Sequence, residues 1–226
     1  MIVFNVLRNV FFPPSQTGEE AREVVETAFL HVKGIPDGMK KINREGSIFV
    51  LSSDLCPHFV IKIENPSISK FHFGEKNFEV EEDSLQLRVP IADFWRKIIF
   101  ENELDLLYVP KKWVFSKGII AEKLDLLRDT KKLFEEMTVA KRRLFIEQLW
   151  TFVCLTGFHD IRGNVALAKI DGVARLVIFD TEPPERISEA DLLGNFCAQA
   201  PFPQDEKIDV IAKDRGRRDS NSQLPA

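Results

Sequence analysis

Hard oxygen donors gather in one short stretch, FHDIRGNVALAKIDGVARLVIFDTEPP, residues 158–184. His159, Asp160 and Asn164 come first, two alternating apolar runs follow, and Asp180, Thr181 and Glu182 close the stretch. An asparagine carbonyl and an aspartate carboxylate suit Mg2+. That ion takes one or two protein oxygens and leaves its other positions to water and phosphates. Asp160, in the loop before the first run, could orient or deprotonate an attacking hydroxyl. The competing reading is structural: Asn164 and Asp180 would cap strand ends, and Glu182 would be a turn residue before Pro183-Pro184.

Two elements must position these groups. Asp171-Gly172 between alternating runs is a strong short-range hairpin signal. With Ile170 paired to Val173, counting outward sets Asn164 opposite Phe179, directly beside Asp180. The polar groups then meet at the open end of one ribbon. The segment 137–157 is expected to be a helix, with Phe145, Leu149, Phe152 and Val153 on one face and Gly157 as its stop, and it leads into His159.

Upstream, residues 17–34 read as a helix capped by Thr17, with Val24, Val25, Phe29 and Val32 as its stripe and Gly34 as its end. SIFVL (47–51) and HFVIKIE (58–64) read as strands, and 90–103 as a helix with Pro90 at its first position. Segments 104–110 and 111–127 read as further strands, 75–84 as a solvated acidic loop, and 1–14 as an apolar strand or arm. Strands segregated from a later long helix indicate an α+β protein.

A net charge of -4 argues against a nucleic-acid binder, which needs a strongly basic face. No segment reaches transmembrane length, and the apolar N-terminus lacks a basic flank and is split by Arg8, which speaks against a signal peptide. Cys56, Cys154 and Cys197 form no CxxC pair and are expected to be reduced thiols in a cytoplasmic setting. The four histidines and three cysteines show no zinc spacing. His159-Asp160 alone could suggest a metal-dependent HD phosphohydrolase, but His31, His58 and His72 lie on no matching motif.

HDIRGNVAL and LVIFDTEP together resemble the catalytic core of the protein-kinase-like fold, including its aminoglycoside-phosphotransferase and lipid-kinase branches. The resemblance runs over roughly residues 45–185, and DTEP is also similar to the ending of small kinase-like proteins of intracellular bacteria. It implies a two-lobed α+β fold with an antiparallel N-lobe sheet over about 1–127 and a truncated helical C-lobe over about 128–205. Residues 206–226 would be a polar, disordered tail. It further implies ATP and Mg2+ as cofactors, with Lys62 of FVIKIE on the α- and β-phosphates. The helix at 90–103 would supply the acidic partner of Lys62, either Asp93, well placed but short, or Glu101 near the helix end. Asn164 and Asp180 would hold the metal, and Asp160 would be catalytic. Alternation equally allows Lys62 to be an edge-strand lysine facing water.

The chain departs from the family pattern in ways that bear on function. Asp160 precedes Asn164 by four positions where the family has five, which would set His159 at the catalytic place. GIPDGMKKINREG is no G-x-G-x-x-G loop, and only 46 residues follow Asp180, too few for a protein-substrate platform. The resemblance therefore implies a nucleotide as partner and a phosphotransferase acting on a small-molecule or unusual acceptor. The alternative is a pseudokinase that binds a protein partner.

Overall fold

The computed structural model describes residues 16–32, 34–43, 48–64, 85–181 and 187–222, with 217–222 as backbone only. The apolar arm at 1–14, the acidic loop at 75–84 and Glu182 with the following prolines lie outside these residues. The chain runs α1 (Gly18–Phe29), β1 (Met39–Lys41), β2 (Ile48–Ser53), β3 (Phe59–Glu64), α2 (Arg88–Glu101), β4 (Leu107–Tyr108), β5 (Lys112–Phe115) and β6 (Gly118–Glu122). There follow α3 (Thr130–Glu136), α4 (Val139–Thr156), β7 (Val165–Ile170), β8 (Val173–Ile178), α5 (Glu189–Gln199) and α6 (Gln204–Ser222). This is a mixed α+β protein with an antiparallel N-terminal sheet, and it divides into two compact units.

The first unit comprises residues 1–90 and 110–124. Its sheet has the order β1-β2-β3-β6-β5, antiparallel throughout. Thr17 and Glu20 form a reciprocal capping box at the start of α1. Ala21, Val25 and Phe29 then bury one face of α1 against Leu51, Phe59, Ile61, Ile63, Phe115 and Ile120. The helix stops at Phe29 rather than Gly34, because Val32 is exposed and another turn would bury nothing.

The second unit comprises 91–109 and 125–226, so the division falls inside α2 and not at the expected 127/128 junction. Its sheet, β4-β8-β7, has β4 parallel to β8. Only Leu107 and Tyr108 of the expected 104–110 strand are strand, and Gln148 of α4 fixes the approach by accepting from Leu106 N at 2.8 Å and donating to Asp105 Oδ1. Trp95, Phe145, Ile146, Leu149, Phe152, Val153, Leu167, Leu176, Ile178 and Phe196 form the core.

The expected disordered tail is instead helix α6, up to Ser222. Its apolar content is sparse, with Val210 and Ile211 buried, and polar anchors do the rest. Arg142 of α4 pairs with Glu206, Arg143 with Asp209 at 2.8 Å, and Trp150 Nε1 donates to Asp214 at 3.0 Å. Hydropathy cannot register such anchors, because each looks like a solvated charge in the sequence. Helices α3 and α5 are two further elements that none of the sequence signals above marks.

Candidate functional site

Helix α4 delivers the loop that carries the candidate groups. Gly157 ends it in the left-handed region at φ 72, its N–H bonded to Val153 O. Thr156 Oγ1 donates to Phe152 O and accepts from Phe158 N, turning the chain at once. Phe158 packs edge-on against Trp95 and Phe152, and Ile161 is fully buried. With residues 158 and 161 held inward, His159 is half-buried and Asp160 is exposed. His159 Nδ1 donates to Gly157 O at 3.2 Å, which keeps its proton on Nδ1.

Asp160 and Asn164 are brought together. The Asn164 Nδ2 group donates to Asp160 O at 3.0 Å and to Asp160 Oδ2 at 2.9 Å. Both partners are acceptors, so the nitrogen must face them and Oδ1 must face away. Of the two candidates that the four-residue spacing leaves open, Asp160 is therefore the carboxylate tied to Asn164. The loop backbone is held from a distance: Ile161 N and Arg162 N both donate to Gln199 Oε1 at 3.0 Å. Gln199 escaped sequence reasoning, since it lies 37 and 38 positions downstream and carries no motif.

The hairpin has the register counted from its turn, from Ile170↔Val173 to Val165↔Ile178. Asp171 and Gly172 both have positive φ, 51 and 82, as the two-residue turn with matching twist requires. Phe179 N donates to Asn164 O at 2.9 Å, so Asp180 follows directly on the residue bonded to Asn164. Asp180 is half-buried and Thr181 fully buried. The expected meeting of Asn164 and the 179–180 strand end is thus present in the backbone.

An asparagine oxygen and a carboxylate fit a hydrated Mg2+, which asks for one or two protein oxygens. Among the described residues no three His, Cys, Asp or Glu side chains gather as a metal cage.

Lys62 lies in the first unit, half-buried at the middle of β3. It is opposite Val50 on β2 and Ile119 on β6, so β3 is an interior strand and the edge-strand reading is wrong. Ile61 and Ile63 face α1, and alternation turns Lys62 to the other face of the sheet. Gly118 lets β6 come close here: a Cβ on it would stand 2.1 Å from Lys62 O. Asp93, in the second unit, forms an ion pair with Arg96 on its own helix. Its pairing with Lys62 remains a proposal.

No family model matches the chain, and no curated protein does. Among solved structures, it is similar to APH(2")-IIa in a ternary complex with streptomycin and ATP, at 13% identity and a TM-score of 0.33. The match covers 65% of this chain and 41% of that one, so the chain spans about two-fifths of that protein's length. A likeness that loose carries no weight by itself, and the functional reading rests on the side chains described above.

Proposed function

We propose that the protein binds ATP with Mg2+ and transfers the γ-phosphoryl group to a small-molecule or unusual acceptor, on a kinase-like fold. The observation that supports this best is the shared ribbon end. There Asn164, with its amide nitrogen committed to Asp160, bonds through its backbone to Phe179, the residue before Asp180. Asn164 Oδ1 and the Asp180 carboxylate are the oxygens assigned to the metal, which when bound would neutralise phosphate charge. Asp160 is assigned to the acceptor hydroxyl, which its carboxylate would orient and deprotonate. Lys62 is assigned to the α- and β-phosphates as a point charge, with Asp93 as its proposed acidic partner. Such chemistry is mostly positioning and electrostatics, so losing one ligand should lower activity without unfolding the chain.

A second reading has its own support. Asp160 Oδ2 is engaged by the Asn164 amide, and the loop is one residue shorter than the family pattern, so the base could be lost while the nucleotide site survives. The protein would then be a pseudokinase serving as a binding module.

Both readings meet one experiment: the melting temperature with ATP, with and without Mg2+, for the wild-type protein and Asp180→Asn. A ligand present at a hundred times its dissociation constant stabilises the folded state by about 2.7 kcal/mol. The expected result is a Mg2+-dependent rise that Asp180→Asn abolishes. No rise at millimolar ATP refutes the phosphotransferase reading. A rise without phosphoryl release in single-turnover assays with [γ-32P]ATP selects the pseudokinase.

A further inference from the structure

Helix α5 ends on a side chain that reaches back to the loop between α4 and β7. Gln199 Oε1 receives two backbone donors at once, Ile161 N and Arg162 N, each at 3.0 Å. Two N–H groups facing one atom require it to be the oxygen, which has two lone pairs to offer. Ile161 is fully buried, so its N–H would have no solvent to turn to if Gln199 were lost.

The helix end that presents this oxygen is itself immobilised. Phe196 is fully buried against Trp150, with ring centroids 5.0 Å apart. Ala200 N bonds to Phe196 O at 3.0 Å. Lys207 of α6, itself buried, donates its Nζ to Ala200 O at 3.1 Å and to Cys197 O. Burial lowers the pKa of this ammonium, so the contact is made against a desolvation penalty. The acceptor is therefore also held from its own side, by contacts that do not involve the loop.

We infer that Gln199 is a positioning residue: through Ile161 and Arg162 it fixes the loop that carries Asp160 and Asn164. The two clamped amides lie between those residues in the chain, and Asn164 N closes the same turn on Ile161 O at 3.1 Å. With the middle of the turn fixed, the Asn164 amide stays against Asp160 and its Oδ1 keeps one direction. The functional half of this inference rests on the nucleotide reading above; the clamp itself does not.

The test compares wild type, Gln199→Met and Gln199→Glu. Methionine keeps length and packing but offers no comparable acceptor, whereas glutamate keeps a carboxyl oxygen in the same place. Amide hydrogen exchange at Ile161 and Arg162 is read against the β7–β8 ladder as an internal standard, beside the Mg2+-dependent part of the ATP-induced melting shift. Gln199→Met is expected to speed exchange at these two amides by about tenfold or more, the scale of losing two net hydrogen bonds. It should also shrink the Mg2+-dependent shift, and Gln199→Glu should restore both. Unchanged exchange in Gln199→Met, or equal loss in both variants, overturns the clamp. Faster exchange with an undiminished Mg2+ shift overturns the link to metal binding. If wild type shows no Mg2+ shift at all, the nucleotide reading and that link fall together, while the exchange result still decides the clamp.

Discussion

Replacing Arg142 with methionine tests how the C-terminal helix is held against the helix that feeds the loop. Arg142 Nε and Nη2 meet the Glu206 carboxylate at 2.5 to 3.1 Å, and both side chains are nearly buried, 12% and 10% exposed. Nη1 also donates to Phe134 O at 3.1 Å and Met137 O at 2.6 Å, closing the end of α3. Methionine would leave the Glu206 carboxylate without its counter-ion and these carbonyls without that donor. Removing one partner strands the other's charge in a site largely screened from water, which destabilises the fold. Arg142→Met should therefore melt several degrees below wild type. The double variant Arg142→Met/Glu206→Leu removes the stranded charge as well and should recover much of the loss. Urea titration followed by tryptophan fluorescence reads this well, because Trp95 and Trp150 both lie in the second unit's core. An unchanged melting temperature, or a double variant no better than the single, would refute a mutually dependent pair.

Three further outcomes are expected. Gly118→Ala would drive a Cβ to 2.1 Å from the Lys62 backbone oxygen, so β6 must shift. The strain should cost about 1–3 kcal/mol, and an unchanged melting temperature would mean that the strands do not approach as described. Gly172→Ala puts a Cβ at φ 82 in the hairpin turn and should cost about 1–2 kcal/mol, measured by urea denaturation; no loss would argue against this turn geometry. Glu26 accepts from Ser116 N at 2.8 Å, and this bond holds its carboxyl below the usual carboxylate range. Its stabilisation is therefore present above the unfolded pKa and is lost as pH falls through the lower folded value. Glu26→Gln should flatten the acid limb of a melting-temperature profile taken from pH 7 to 3, and parallel profiles would count against the bond.

Local rules settled much of the ribbon from sequence. Asp171-Gly172 dictates a two-residue turn, the turn dictates the register, and the register carries Asn164 to Phe179 and so to Asp180. Gly157 marked the end of α4 for a similarly local reason: it supplies the left-handed residue that closes a helix. Lys62 is different. Alternation within FVIKI fixes its face relative to Ile61 and Ile63, but an edge strand and an interior strand share that pattern. Only pairing with both β2 and β6 decided between them. Asp93 looked free to serve Lys62, yet its own helix supplies Arg96 as a partner.

The largest differences come from contacts between residues far apart in the chain. Helix α6 looked like a disordered tail because its charges read as solvent-facing, and nothing nearby shows that Glu206, Asp209 and Asp214 have Arg142, Arg143 and Trp150 waiting on α4. Gln199 is likewise silent until α5 sets its oxygen before two loop amides. Turns, caps and strand register are short-range geometry, so the sequence by itself determined that Asn164 lies opposite Phe179, the residue before Asp180. Polar partners separated by dozens of residues have no periodicity to reveal them, so only the tertiary structure decided what holds that loop and what holds the last helix.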